Sequence, residues 1–104
     1  MVTENKGNLD AGRSALDAAI SNAIKNIKFD LKKINVEFDS EQLTWEWIGY
    51  IAPQLGHWVT IRLIEGNWHL SAVTDQCGIL KIIHSDLEAA LTELQLVTSS
   101  QPTV

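Results

Sequence analysis

Between His57 and His84 the chain alternates apolar and polar residues in three runs separated by two turn signals, the period-two pattern of an antiparallel β-meander. The first turn falls at Glu65-Gly66-Asn67. With Gly66-Asn67 at its tip, Leu63 lies opposite Leu70 and Ile61 opposite Ala72; with Glu65-Gly66 there, Leu63 lies opposite Trp68 and Ile61 opposite Leu70. The two registers differ by two residues and give the same faces. The second turn is Asp75-Gln76-Cys77-Gly78, read as a type I turn with Gly78 in the left-handed region, which predicts Thr74 opposite Leu80, Ala72 opposite Ile82 and Leu70 opposite His84.

One face then collects Val59, Ile61, Leu63, Trp68, Leu70, Ala72, Leu80 and Ile82, and is a core face. The other collects Trp58, Thr60, Arg62, Ile64, His69, Ser71, Val73, Ile79, Lys81 and Ile83. That second face is half apolar, more than a solvated sheet surface requires.

Upstream, Leu16, Ile20, Ala23, Ile24, Ile27, Leu31 and Ile34 recur at three and four residues, predicting one long amphipathic helix. Asp10 or Ser14 would cap its start, Gly12 argues for the later one, and Asn35 would end it. Lys25, Lys28 and Lys32 follow one side of it, with Lys33 close by, and read as a solvated face balanced by Asp17 and Asp30. Ile34, Val36 and Phe38 also alternate with polar residues, so a short edge strand is expected after the helix.

The segment from Asp39 to Ala52 carries two signals. Asp39 with Gln42 resembles a capping box, and Leu43, Trp47 and Ile51 would share a helix face. Against that stand the aromatic and β-branched run Thr44 to Ile51 and the weak helix former Gly49, and the balance falls on a strand. Pro53-Gln54-Leu55-Gly56 forms a turn into His57. After His84, Ser85 and Glu88 make a capping box for a short helix with Leu87, Ala90, Leu91 and Leu94 as its stripe. The prediction is an α+β, two-layer domain over residues 9 to 97: a meander of four or five strands, a long N-terminal helix and a short C-terminal one, with flexible ends at 1 to 8 and 98 to 104.

Composition narrows the function. The 104 residues hold one core, and 45% hydrophobic with 20% charged residues is ordinary for a folded domain. A net charge of −5 repels nucleic-acid phosphates and anionic lipid, which argues against both as partners. One cysteine forms no internal disulfide, and the N-terminal residues lack an apolar leader segment; the expected location is cytoplasmic, away from membranes.

Candidate chemistry is sparse. The three histidines do not converge, because His57 and His84 sit at opposite ends of one face and His69 points to the other, so no metal and no cofactor is expected. In the Gly66-Asn67 register His57 comes near Cys77 and Asp75, the residue types of a thiol nucleophile, its base and an orienting carboxylate. Asp75 is already explained by its turn, and no oxyanion donor accompanies Cys77. Alternation puts Glu46 on the face opposite the flanking Trp45 and Trp47, so it reads as solvated.

Trp68 and one or both of Trp45 and Trp47 are core residues, whereas Trp58 belongs to the second face. If the two helices pack side by side on the core face, the second face stays open; if they take one face each, it is covered. In outline, helix, meander and helix in an acidic chain resembles the layout of small export and assembly chaperones that hold a segment of a client protein, a likeness of layout that transfers no residue roles.

The leading expectation is a non-enzymatic adaptor or assembly chaperone, a homodimer, binding a partner protein or client peptide through Trp58, Arg62, Ile64, His69, Val73, Lys81 and Ile83. The alternatives are an inhibitor or regulatory partner of one enzyme, and a small thiol enzyme using Cys77 and His57.

Overall fold

A computed structural model describes residues 2–51, 58–74 and 78–99. It contains helix α1 (Val2–Ile27), strands β1 (Leu31–Asp39), β2 (Thr44–Ile51), β3 (Trp58–Ile64), β4 (Asn67–Thr74) and β5 (Gly78–His84), and helix α2 (Leu87–Ser99). The strands form one antiparallel sheet in sequence order, β1-β2-β3-β4-β5. The fold is α+β, as the patterning predicts.

α1 both starts and stops earlier than its apolar stripe suggests. It begins at Val2, ahead of Asp10 and Ser14, and Gly12 lies inside it. A Cβ at Gly12 would stand 3.2 Å from the Trp45 Nε1 atom, so the glycine lets that indole approach the helix. The helix ends at Ile27 because Lys28 takes a left-handed φ of 56°. The Phe29 N–H then donates to the Ile24 carbonyl and the Lys28 N–H to the Lys25 carbonyl, the paired bonds of a Schellman motif. Leu31 and Ile34, which continue the helical spacing in sequence, therefore lie on β1, and Asn35 is a strand residue rather than a helix end.

β1 has a bulge between Lys33 and Asn35 that switches which residues face the core. Before it Leu31 points inward and Lys33 reaches Asp17 of α1 at 2.9 Å; after it Val36 is the buried residue. The ambiguous segment is the strand β2. Asp39 accepts from the Glu41 and Gln42 N–H groups, much as a capping residue would, but Leu43 at φ 53° returns the chain to extended geometry.

The β3–β4 hairpin adopts the register with Glu65-Gly66 at its tip, pairing Leu63 with Trp68 and Ile61 with Leu70. Both tip residues have positive φ, 51° and 81°, as a type I′ turn requires. In the β4–β5 hairpin Thr74 pairs with Gly78, Ala72 with Leu80 and Leu70 with Ile82. The predicted register is thus corrected by two residues toward the turn, with Gly78 at φ 68° closing the ladder. A two-residue slip preserves parity, so the face assignments are unchanged.

Both helices lie on the same face. α1 packs against β1 and β2, α2 against β4 and β5, and the helices touch each other. Asn26 of α1 donates to the Glu88 carboxylate at 3.0 Å, which draws Glu88 away from a capping box. Asp86 caps α2 instead, accepting from the Ala89 N–H at 2.9 Å, and Ser85 is exposed. The helix continues to Ser99, and Thr98, expected in the tail, is buried with its hydroxyl donating to the Leu94 carbonyl at 2.8 Å.

The core gathers Leu16, Ile20 and Ala23 of α1, Ala90, Leu91 and Leu94 of α2, and Val36, Trp47, Val59, Ile61, Leu70, Ala72 and Ile82 of the sheet. Trp47 fills its centre, fully buried, with an indole N–H that has no hydrogen-bond partner. Gly49 makes room for it: a Cβ there would lie 2.5 Å from the Trp47 ring and 2.5 Å from the Lys32 carbonyl oxygen.

Candidate functional site: an open sheet face

No described helix covers the second sheet face, because both lie on the first. The strand registers sort its residues into rows that run across the sheet from β1 to β5. The first row is Lys32, Tyr50, Trp58, Val73 and Ile79; the second is Asn35, Ile48, Thr60, Ser71 and Lys81; the third is Glu37, Glu46, Arg62, His69 and Ile83.

The first row is apolar from β2 to β5 and accessible. Trp58 and Val73 are each 49% exposed and Ile79 is 69% exposed. Tyr50 meets Trp58 edge to face at 6.4 Å with the rings inclined by 65°, which holds the indole at the row's centre. Ile83, 62% exposed, lies at the β5 end of the third row. Large apolar side chains at such exposure on three adjacent strands, continued on β2 by the half-buried Tyr50, form a patch of the kind that proteins bury against another molecule.

The polar part of the face is built around Arg62. Its guanidinium donates to Glu46 from Nε and Nη2 at 3.1 and 2.9 Å, and from Nη1 to Asp39 at 2.9 Å and to the Gln42 side-chain oxygen at 2.8 Å. The Arg62 hydrogen bond is the main reason the Asp39 carboxyl titrates below its ordinary value, helped by the Gln42 N–H. Burial works against the charge on Arg62, but its bonds to Asp39 and Glu46 more than offset this and hold it protonated. A shallow polar depression follows, lined by Gln42, Glu46, Thr60, Arg62, Ile64, His69, Ser71 and Lys81.

Of the seven residues singled out from sequence, all lie on this one face, but they do different things. Trp58 and Val73 belong to the apolar row, and Ile83 and Lys81 flank it on β5. Arg62 is committed to four internal hydrogen bonds and braces three strands, so it shapes the surface instead of offering a free cation. His69 sits between Arg62 and Ile83, and Ile64 closes the end near the hairpin. Sequence reasoning missed Tyr50 and Ile48, which join the face once β2 is a strand; their signal was the parity shared with Glu46. Ile79 was placed on the face but its exposure makes it more central than Ile64.

A second concavity, about 430 Å³, opens between α1 and the end of the sheet, lined by Gly12, Ala15, Leu16, Ala19, Thr44, Trp45, Leu63 and Trp68. Its presence explains why Leu63, expected in the core, is 43% exposed. Among the described residues no charged side chain lines it.

Two of the three histidines can be placed. His69 lies on the open face, while His84 pairs with Trp68 on the core face and accepts from the Asp86 N–H through Nδ1 at 2.9 Å. Among the described residues no three His, Cys, Asp or Glu side chains cluster as a metal site would require. His57, Asp75 and Cys77 lie outside the described residues. No described helix is long and apolar enough to cross a membrane.

Comparison of the chain with protein-family models, with curated proteins and with solved structures found no match.

Proposed function

We propose that the chain is a cytoplasmic, non-enzymatic protein-binding module, of the adaptor or assembly-chaperone kind, that docks a partner protein on the open sheet face. The observation that carries this reading is the row of exposed Trp58, Val73 and Ile79 with the half-buried Tyr50, set beside a braced polar depression. An apolar centre with an aromatic anchor and a polar border is the usual composition of an interface patch. The net charge of −5 disfavours polyanionic partners, so the ligand class is protein.

The test is the double variant Trp58→Ser, Ile83→Glu beside the wild type, each measured for far-UV circular dichroism, for mass by light scattering and for partners retained by cross-linking in its native extract. The variant is expected to keep the wild-type spectrum, since both side chains project away from the core, and to lose the wild type's self-association or its cross-linked partner. A folded variant with unchanged mass and unchanged cross-links would overturn the assignment of this face.

A further inference from the structure

We infer that the partner fitted to this face is a second copy of the same chain, packed sheet against sheet about a two-fold axis parallel to β3. The inference rests on the protein-docking reading above and makes it specific.

The first ground is the distribution of charge across the sheet. On the β1 and β2 side the face carries Glu37, Glu46 and Asp39; on the β4 and β5 side it carries His69 and Lys81, with Arg62 on the central strand. A copy turned over about an axis along β3 lays its β5 flank on the first copy's β1 flank. The carboxylate-bearing flank of each copy then meets the flank of the other that carries Lys81 and, among the described residues, no carboxylate. Glu46 comes opposite His69 of the second copy, and Lys81 comes opposite Asn35 and beside Glu37. Two cations meet no acid across the axis: Lys32 faces Ile79 of the second copy and retains its exposed contact to Asp30 at 3.3 Å, and Arg62, on the central strand, faces its own counterpart with its charge already matched by Asp39 and Glu46 of its own chain.

The second ground is that the apolar row maps onto itself under the same rotation. Trp58, on the central strand, faces its own counterpart across the axis, and Tyr50 faces Val73 in both directions. That self-matching of one patch is what an isologous interface requires. The other two-fold, running along the rows, would lay the apolar row on the charged third row and set Lys81 against itself. It is disfavoured on the first count, since it lays Tyr50 on Glu46 and Val73 on His69; like-charge self-contact does not separate the two axes, because the axis along β3 sets Arg62 against itself.

The third ground is area. Five strands spaced about 4.8 Å apart and about seven residues long at roughly 3.3 Å per residue give a flat footprint on the order of 550 Å². Side-chain relief raises the accessible area above the footprint, toward the ~800 Å² that each partner contributes to an interface of standard size. Two such sheets packed with aligned strands form the arrangement of a β-sandwich, here with a helical layer on each outer side.

The test begins with the mass of the full chain in solution, expected at twice the 11.6 kDa of one copy. In a Cys77→Ser background, Ile64→Cys, which lies on β3 and so on the axis while leaving the apolar row intact, is then expected to cross-link to itself under mild oxidation or with a short bis-maleimide, and Ser71→Cys, which the alternative axis would place against itself, is not. Lys81→Glu and Glu37→Lys are each expected to weaken the dimer at least tenfold, and their combination to restore most of the loss. A chain that is monomeric at high micromolar concentration overturns the inference. So does a dimer whose mass ignores the Trp58→Ser, Ile83→Glu variant, and so does cross-linking through Ser71 in place of Ile64. A monomer that nevertheless loses a cross-linked partner in the Trp58→Ser, Ile83→Glu variant would leave the docking face standing with a foreign protein as its occupant.

Discussion

Two residues show how narrowly single positions are set. Gly49 is readable in sequence only as a weak helix former, which tips the choice toward strand. Its real constraint is the Trp47 indole folded over it, together with the Lys32 carbonyl, both 2.5 Å from where a Cβ would stand. That is invisible to any pattern because it depends on one rotamer across the pleat. Gly49→Ala forces the central tryptophan or the β1 backbone to move, and a loss of roughly 1–3 kcal/mol is expected in urea unfolding, the range for overpacking. Arg62 was legible as a face residue and its role was not, since its acceptors come from the end of β1, the turn after it and the neighbouring β2. Asp39 has a folded pKa below its ordinary 3.8, chiefly through the Arg62 hydrogen bond. The sign follows directly: the stability it contributes is complete above the unfolded carboxyl value and is lost as pH falls through the lower folded value. Unfolding of wild type and Arg62→Met should therefore differ most near neutrality and converge below about pH 4, in a denaturation series across that range.

At the scale of elements, the misread boundary between helix and first strand has a physical cause. Inward positions on β1 fall at Leu31 and Lys33, then at Val36 and Phe38, because the bulge inserts one residue. A strand whose parity breaks in the middle leaves apolar residues three apart, at Leu31 and Ile34, which extends the helical stripe without interruption. The stop signal was equally hidden. Lysine stands where a Schellman motif ordinarily has glycine, so the left-handed turn at Lys28 had no sequence marker. An L-residue in that conformation costs about 1–2 kcal/mol, of which glycine recovers only part because it also loosens the unfolded chain. Lys28→Gly is expected to stabilise the protein by roughly 0.5–1 kcal/mol in thermal or urea unfolding. A destabilised variant would show that Lys28 makes an interaction that outweighs its backbone conformation. The meander needed no such correction in its faces, since both hairpin registers conserve parity under a two-residue slip.

For the whole molecule, alternation separated the two sheet faces correctly, but it could not say which face the helices take. That depends on both helices competing for one apolar surface. Val59, Ile61, Leu70, Ala72 and Ile82 supply a nearly continuous apolar floor for them, while the second face is interrupted by Arg62, Lys81 and His69. Neighbouring positions on β5 therefore have opposite weights. Ile82 is 4% exposed beneath the helices, and Ile82→Ala is expected to cost about 2–5 kcal/mol. Ile79, 69% exposed on the other side, can become lysine within about 0.5 kcal/mol in the isolated monomer. If the second face is a docking surface, the same Ile79→Lys change removes association that the monomer's stability never depended on. Measuring unfolding at low and high protein concentration separates the two: the Ile82→Ala loss is present at both, whereas the Ile79→Lys loss emerges only where the wild type is associated, because assembly stabilises the folded state by mass action.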